Sequence, residues 1–171
     1  MIVTRPGQLS DLPALTQIYN HYVETTHITF DLTPFTVPQR REWFDHYAET
    51  GRHRLLVADS DGEVLGYATS GRFRDKAAYA PSVETTVYCA PAAAGRGVGT
   101  ALYEELFAEL AHEDVHRAFA GVALPNEASL AFHRRFGFAE IGTFPEVGRK
   151  FDKWWDVTWL SRPVRVTTAT A

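Results

Sequence analysis

The sequence predicts a single α/β domain whose central sheet is part antiparallel and part parallel. Two apolar segments, 54–59 and 64–71, flank the turn Ser60-Asp61-Gly62-Glu63 and are typical of a β-hairpin. Strand-like and helix-like segments then alternate from Val83 onward, and crossover helices require parallel neighbouring strands. A chain of 171 residues with 45% hydrophobic residues suits one core.

The first half of the chain carries one short strand and two helices before the hairpin. β-branched residues at 2–5 predict the strand. Ser10 can cap the first helix, which is expected to end near Glu24 because a threonine-rich run follows. The second helix is expected to begin after Pro38 and to continue to Gly51, a residue suited to a C-terminal cap.

The second half contains the alternating segments. Val- and Thr-rich or aromatic composition predicts strands, and apolar residues at helical spacing predict helices. The predicted elements are a strand at 83–89, a helix at 99–112, a strand at 119–124, a helix at 126–136 and a final strand at 151–160. The domain is therefore expected to cover residues 1–160, and the Thr- and Ala-rich residues 161–171 are expected to form a flexible tail.

Composition excludes several classes of protein. A net charge of -4 provides no general basic field, so neither nucleic acid nor an anionic membrane is an expected partner. The single cysteine, Cys89, permits no intrachain disulfide and no cysteine-rich zinc module, which favours a reducing compartment. The apolar runs are too short for a leader or a membrane span, so a cytoplasmic protein is expected.

A glycine-rich loop, Ala94-Gly95-Arg96-Gly97-Val98-Gly99-Thr100, joins a predicted strand to a predicted helix. Glycines let backbone N–H groups converge, and a helix N-terminus adds partial positive charge, so the loop suits a phosphate or pyrophosphate. A tight turn that binds nothing is the alternative. Gly99 is not followed by Lys and Ser or Thr, and the third glycine of a dinucleotide fingerprint is missing, so neither ATP nor NAD binding of those types is expected.

The loop Gly95-Arg96-Gly97-Val98-Gly99 resembles the acetyl-CoA pyrophosphate loop of the Gcn5-related N-acetyltransferases. A second block, Leu124-Pro125-Asn126-Glu127-Ala128-Ser129 followed by Phe132-His133 and Phe136-Gly137-Phe138, is also similar to that superfamily. Over most of the chain, the resemblance is to the phosphinothricin and the methionine sulfone or sulfoximine acetyltransferases. It implies splayed strands that form an acetyl-CoA cleft, a small amino acid-like acceptor and a homodimer, with Trp154, Trp155 and Trp159 facing the second subunit.

The resemblance also implies a set of cofactor-binding residues. The glycine loop and the strand before it would hold the pyrophosphate and the pantetheine arm, whereas Asn126 can also act simply as a helix cap. The implied cofactor-binding residues are Val87, Tyr88, Cys89, Gly95, Arg96, Gly97, Val98, Gly99, Thr100, Asn126 and Ser129. Position 94 is Ala where the family usually has Gln or Arg, so one side-chain contact to the phosphates is missing. The alternatives are a lower cofactor affinity or compensation by Arg96 and the backbone N–H groups of the loop.

Two residues are candidates for the proton transfers of acetylation. Glu84 lies in an apolar strand, where burial would raise its pKa towards that of a useful base, and it matches the family's general base. A carboxylate on the solvent face of the strand is the alternative. His133 is expected to protonate the departing thiolate or to assist the base, and the alternative is a packed or surface histidine.

For the acceptor, arginine suits bidentate recognition of a carboxylate, and Arg72 and Arg74 precede Glu84 in the sequence. Family similarity implicates Arg74 in particular, and the alternative is a solvated pair at a strand end. Phe30 and Tyr79 are candidates for the pocket wall or, alternatively, for the core.

Two other functions compete with acetyl transfer. The segment His112-Glu113-Asp114-Val115-His116 matches the zinc peptidase pattern, but the pattern requires a continuous helix, and the helical periodicity ends at His112. No metal is therefore expected. The Ala94 substitution motivates the other alternative, a module that binds acyl-CoA without catalysis.

Overall fold

The computed structural model describes residues 1–165 and shows a seven-stranded mixed sheet with helices on both faces. The elements are β1 (Val3–Pro6), α1 (Leu12–Thr25), α2 (Val37–Phe44), β2 (Arg54–Ser60), β3 (Glu63–Arg72), β4 (Ser82–Cys89), α3 (Val98–Leu110), β5 (Arg117–Ala123), α4 (Glu127–Arg135), β6 (Ala139–Lys150) and β7 (Lys153–Pro163). Within this range, no helix has both the length and the apolar character needed to cross a membrane.

The strand order is β1-β2-β3-β4-β5-β7-β6, which confirms the predicted mixture of pairings. The pairs β1–β2, β2–β3 and β3–β4 are antiparallel. The next pair, β4–β5, is parallel, and α3 connects its two strands. The expectation that α4 leads to another parallel strand was wrong, because the chain instead forms the β6–β7 hairpin, in which β7 runs antiparallel to β5.

Several boundaries differ from those predicted. α2 ends at Phe44, well before Gly51, because the segment after it turns back to β2. β6 was not predicted, since it is exposed along most of its length and lacks a buried alternation. β7 continues through Pro163 and Val164 is buried, so described structure extends beyond the expected tail boundary at 161; residues 166–171 lie outside the described range.

Alternate side chains of the central hairpin build a core on each face of the sheet. Leu56 and Ala68 face α3, whose Leu102, Leu106 and Leu110 are fully buried. Their sequence neighbours Leu55 and Tyr67 face the other side and pack with Leu15 and Ile18 of α1. Helices thus pack on both faces of the central strands, and β4 has an open edge where it leaves β5.

Candidate active site

A cleft opens where β4 and β5 separate. The two strands pair at Ser82–Arg117, Val83–Ala118 and Glu84–Phe119, and no later pairing between them occurs among the described residues. β4 nevertheless stays paired with β3 as far as Cys89. One backbone edge of β4 beyond Glu84 therefore faces an opening whose walls include Val87, Tyr88, Asn126, Ser129 and His133.

The glycine loop lies at the start of α3, as expected. Gly95 and Gly97 have φ angles of 75° and 79°, in the left-handed region, and Gly97 is the N-cap residue of the helix. A Cβ at either glycine would meet no atom within 4 Å. Glycine is therefore favoured at these positions by the left-handed backbone conformation and not by a lack of space. In the first helical turn, the Gly99 N–H donates to the Cys89 sulfur, whereas the N–H groups of Val98 and Thr100 are available to an anion.

Asn126 begins α4 beside the cleft. Its side-chain oxygen accepts a hydrogen bond from the Ser129 backbone N–H at 3.1 Å, which confirms the cap interpretation. Asn126 and Ser129 also line the cleft, so the cap orients polar groups along its wall.

A second opening, a cavity of about 680 Å³, lies on the face of β4 that carries Glu84, Thr86 and Tyr88. Its floor consists of three cross-strand pairs between β3 and β4, namely Tyr67–Tyr88, Thr69–Thr86 and Gly71–Glu84. Side chains from α1, α2, the loop between them and the segment that follows α2 cover it, and these include Tyr19, Phe35, Arg40, Trp43 and Tyr47. Thr86 and Tyr88 border both this cavity and the cleft, so two ligands bound there would meet at β4.

Glu84 lines the larger cavity and does not lie on an open solvent face. Burial raises the pKa of its carboxyl group, and the positive charge of Arg74 acts in the opposite direction. A carboxylate with a raised pKa is a better proton acceptor than an exposed one, because its conjugate acid is weaker.

His133 is 5% exposed and forms part of the cleft wall. Its Nδ1 donates to the Ser129 carbonyl at 2.8 Å, and its Nε2 lies 3.1 Å from the Tyr103 hydroxyl. Burial lowers its pKa, so the imidazole is neutral at physiological pH. Both ring nitrogens are therefore engaged within the protein.

The candidate acceptor-binding residues divide into two groups. Arg72 lines the larger cavity together with Glu84. Arg74 is exposed outside its lining, with its guanidinium carbon 4.9 Å from the Phe73 ring centroid. Tyr79 is 44% exposed and packs edge-on against Phe73, and Phe30 packs on the backbone of Gly148. The structure thus places Arg72 and Glu84 in the lining of one cavity; Arg74 lies outside the lining but close enough for its charge to act on Glu84, and Phe30 and Tyr79 are not part of the lining.

Most of the cavity wall could not be identified from the sequence. Tyr19, Trp43 and Tyr47 fit helical spacing and by that signal alone indicate helix packing, and nothing local distinguishes Arg40 from other arginines. The useful signal was an arginine three residues before a tryptophan on one short helix, which places both side chains on the same face.

The zinc peptidase pattern has no helix to support it. α3 ends at Leu110, before His112, and the segment to His116 forms turns and a loop. The Glu113 carboxylate accepts a hydrogen bond from the Gly51 N–H at 2.8 Å and pairs with Arg54 at 2.7 Å. Among residues 1–165, no group of three His, Cys, Asp or Glu side chains could hold a metal ion.

A parallel strand pair that separates, a glycine loop at the start of the following helix and a half-buried carboxylate where the strands part are together typical of an acyl-CoA-dependent transferase. Residues 15–138 match the model of the acetyltransferase (GNAT) family, and the chain belongs to that family. It is an acetyl-CoA-dependent N-acetyltransferase.

Relatives and solved structures agree with this assignment. The chain is 57% identical to phosphinothricin N-acetyltransferase of Streptomyces coelicolor over 95% of this chain and 96% of that protein. It is 36% identical to the L-methionine sulfoximine/L-methionine sulfone acetyltransferase of Pseudomonas aeruginosa, over 91% of each chain. The fold matches a GNAT superfamily phosphinothricin acetyltransferase from Sinorhizobium meliloti in complex with acetyl-CoA, with TM-score 0.91, 31% identity and coverage of 99% and 92% of the two chains.

Proposed function

We propose that the acceptor is a small amino acid of the phosphinothricin, methionine sulfoximine or methionine sulfone type. The observation that carries this proposal is the cavity beside Glu84, which has a volume suited to a small ligand and contains Arg72 as a partner for a carboxylate. Relatives named for acetylation of such amino acids, at 57% and 36% identity, support it.

The reaction is a direct transfer between two bound substrates. The acceptor amine nitrogen attacks the thioester carbonyl carbon of acetyl-CoA, its proton passes to Glu84, directly or through water, and the carbon–sulfur bond breaks to release the CoA thiolate. Glu84 is suited to the base because it lines the acceptor cavity at the point where β4 leaves β5. Unpaired β4 amides beyond Glu84 would pair with the pantetheine arm.

The glycine loop and the wall of the cleft hold the cofactor in this proposal. Those N–H groups of residues 95–100 that the fold leaves unpaired bind the pyrophosphate, whereas the Arg96 N–H donates to the Ala93 carbonyl at 3.2 Å. The Arg96 side chain adds positive charge, and Val87, Tyr88 and Cys89 line the pantetheine arm. Asn126 and Ser129 contribute polar groups on the opposite wall. The main-chain character of these contacts compensates for Ala94.

We assign His133 a positioning role in place of proton donation. A neutral imidazole whose Nδ1 proton is held by the Ser129 carbonyl is a poor acid, and its Nε2 is already in contact with the Tyr103 hydroxyl. The residue instead ties α4 to α3 beside the cofactor.

We further infer that the chain forms a homodimer through the β6–β7 hairpin. Ile141, Phe144, Val147 and Trp154 are each more than half exposed on this hairpin. Trp155 stacks on His27 and Trp159 packs over Gly121, so of the three tryptophans only Trp154 is available for the contact. Analytical ultracentrifugation should show a dimer that Trp154→Glu weakens.

We also propose that the protein is located in the cytoplasm, because the lone cysteine favours a reducing compartment.

An acceptor screen tests the proposed function. Phosphinothricin, methionine sulfoximine, methionine sulfone and common amino acids are each incubated with acetyl-CoA, and release of the CoA thiol is followed. We expect the first three to be the best acceptors. Calorimetric binding of acetyl-CoA without transfer to any amine would instead indicate the non-catalytic module.

A further inference from the structure

We infer that Arg40 binds the polar head of the acceptor side chain, at the end of the cavity remote from Glu84. This inference rests on the proposed acceptor class, and it names the residue that binds the side-chain end of that acceptor. It begins from a buried cation, Arg40, that has no carboxylate partner among residues 1–165.

Arg40 is held in the cavity wall by aromatic rings. The hydroxyl of Thr36 and the side chain of Gln39 form a capping box that starts α2, so Arg40 and Trp43 share one face of the helix. The Arg40 guanidinium carbon lies 3.7 Å from the Trp43 ring centroid and 4.4 Å from that of Tyr19. These faces fix the guanidinium plane and leave its N–H edge to meet other groups.

The hydrogen-bonding capacity of this edge is largely unused. Arg40 is 5% exposed, yet its Nε has no hydrogen-bond partner among residues 1–165, and its Nη2 meets the Tyr67 hydroxyl only at 3.5 Å. None of the ion pairs within the described chain involves Arg40. Asp31, which also lines the cavity, accepts from Tyr19 instead. A buried cation in this condition is stabilised by an oxyanion that enters the cavity.

Arg40 and Glu84 lie at different positions along the floor of the cavity, and each can bind one end of the ligand. Arg40 contacts Tyr67, whereas Glu84 pairs with Gly71, four residues further along β3. Four residues of a strand span roughly 13 Å of backbone, which is longer than one amino acid, so the side chains of Arg40 and Glu84, which both line the cavity, must cover part of that distance. An acceptor that lies along this floor keeps its amine and α-carboxylate beside Glu84 and Arg72, and its side-chain head group extends towards Arg40. Phosphinate oxygens, or the polar oxygens of a sulfone, are suitable acceptors for the fork.

Three amino acids test the inference because all carry an α-amine and an α-carboxylate and differ at the head. Phosphinothricin has an anionic phosphinate, methionine sulfone has neutral S–O groups, and norleucine has a methyl end. Calorimetric titration of the CoA-bound protein gives a dissociation constant for each. Arg40→Met keeps an apolar side chain against Trp43 and removes the charge. We expect roughly 10- to 100-fold weaker binding of phosphinothricin, a smaller loss for the sulfone, and little change for norleucine.

Controls separate recognition from folding. Arg41→Met removes the neighbouring arginine, which is exposed and paired with Asp45, and should alter none of the three constants. Arg40→Lys retains the charge without the fork and should recover part of the affinity for phosphinothricin. Equal weakening of all three ligands by Arg40→Met, or no weakening, overturns the inference. Binding with this selectivity but no acetylation by the unaltered protein would overturn the proposed function alone.

Discussion

Glu84 and Phe119 form the last parallel pair between β4 and β5 before the two strands separate. The candidate base is therefore held at the branch point of the sheet, where backbone pairing ends and the cofactor cleft begins. Phe73 stacks on Phe119 with ring centroids 4.2 Å apart, and Arg74 lies over Phe73, so the same junction positions a cation that acts on Glu84.

Glu84→Gln should lower kcat by roughly 10²- to 10⁴-fold, because the amide cannot accept the amine proton. Acetyl-CoA affinity should stay unchanged, since the side chain faces the other cavity. Steady-state rates and cofactor titration measure the two effects. Glu63→Gln, an exposed change at the start of β3, is the matched control. Normal turnover in the Gln variant at every pH would exclude Glu84 as the base.

Arg74→Met should shift the pH dependence of acetyl transfer. The Arg74 charge lowers the pKa of Glu84 and so opposes the effect of burial. Without that charge the carboxyl pKa rises, and a base with a higher pKa needs a higher pH to lose its proton. The rising limb of kcat/KM should therefore move to higher pH, while Arg149→Met, in an exposed pair with Asp152, leaves it in place. A limb that stays fixed or moves to lower pH would contradict this coupling.

Cys89→Ala should retain acetyl transfer within about threefold, as expected for a direct reaction with no acyl-enzyme. Burial raises the pKa of the Cys89 thiol, which keeps the reactive thiolate scarce. The main-chain oxygen of residue 89 still accepts from Tyr22 in the variant. Loss of activity in a protein of unchanged thermal stability would instead indicate a covalent intermediate.

Gly97→Ala should weaken acetyl-CoA binding and destabilise the protein by about 1–2 kcal/mol, because an L-residue resists the left-handed conformation. Space is not the cause, since an added Cβ meets nothing within 4 Å. Gly142 is similarly open but has no positive φ, so Gly142→Ala is the control. Thermal unfolding and calorimetry measure both effects, and equal behaviour of the two variants would refute the argument.

His133→Gln should destabilise the fold by about 1–3 kcal/mol at pH 7.5 through the loss of buried hydrogen bonds, yet change kcat by less than about tenfold. The pKa of His133 is lowered from 6.5 by burial, so below that pH the unfolded chain binds a proton that the folded chain does not. Stability of the unaltered protein should fall as pH decreases from 6.5 towards the lowered pKa. The variant should show a shallower fall, with a remainder from His53. Identical slopes would contradict this assignment.

Local sequence signals determined the mixed α/β class, the β2–β3 hairpin, and the glycine loop before α3, and a resemblance carried on short motifs indicated acetyl-CoA chemistry. These features depend on residues close together in the chain, such as turn residues, alternating side chains and left-handed glycines. The carboxylate at position 84 could be named from its strand, but the direction in which it faces could not.

Tertiary structure decided the rest, because the acceptor cavity assembles side chains that are far apart in sequence. Arg40 becomes a candidate for binding the acceptor only because the fold encloses it between Tyr19 and Trp43 and places Tyr67 next to it. Packing likewise engages both nitrogens of His133 and holds Arg74 outside the cavity lining. The final strand could be predicted, but its partner β6 could not, since β6 is exposed along most of its length and its place is decided by pairing with β7.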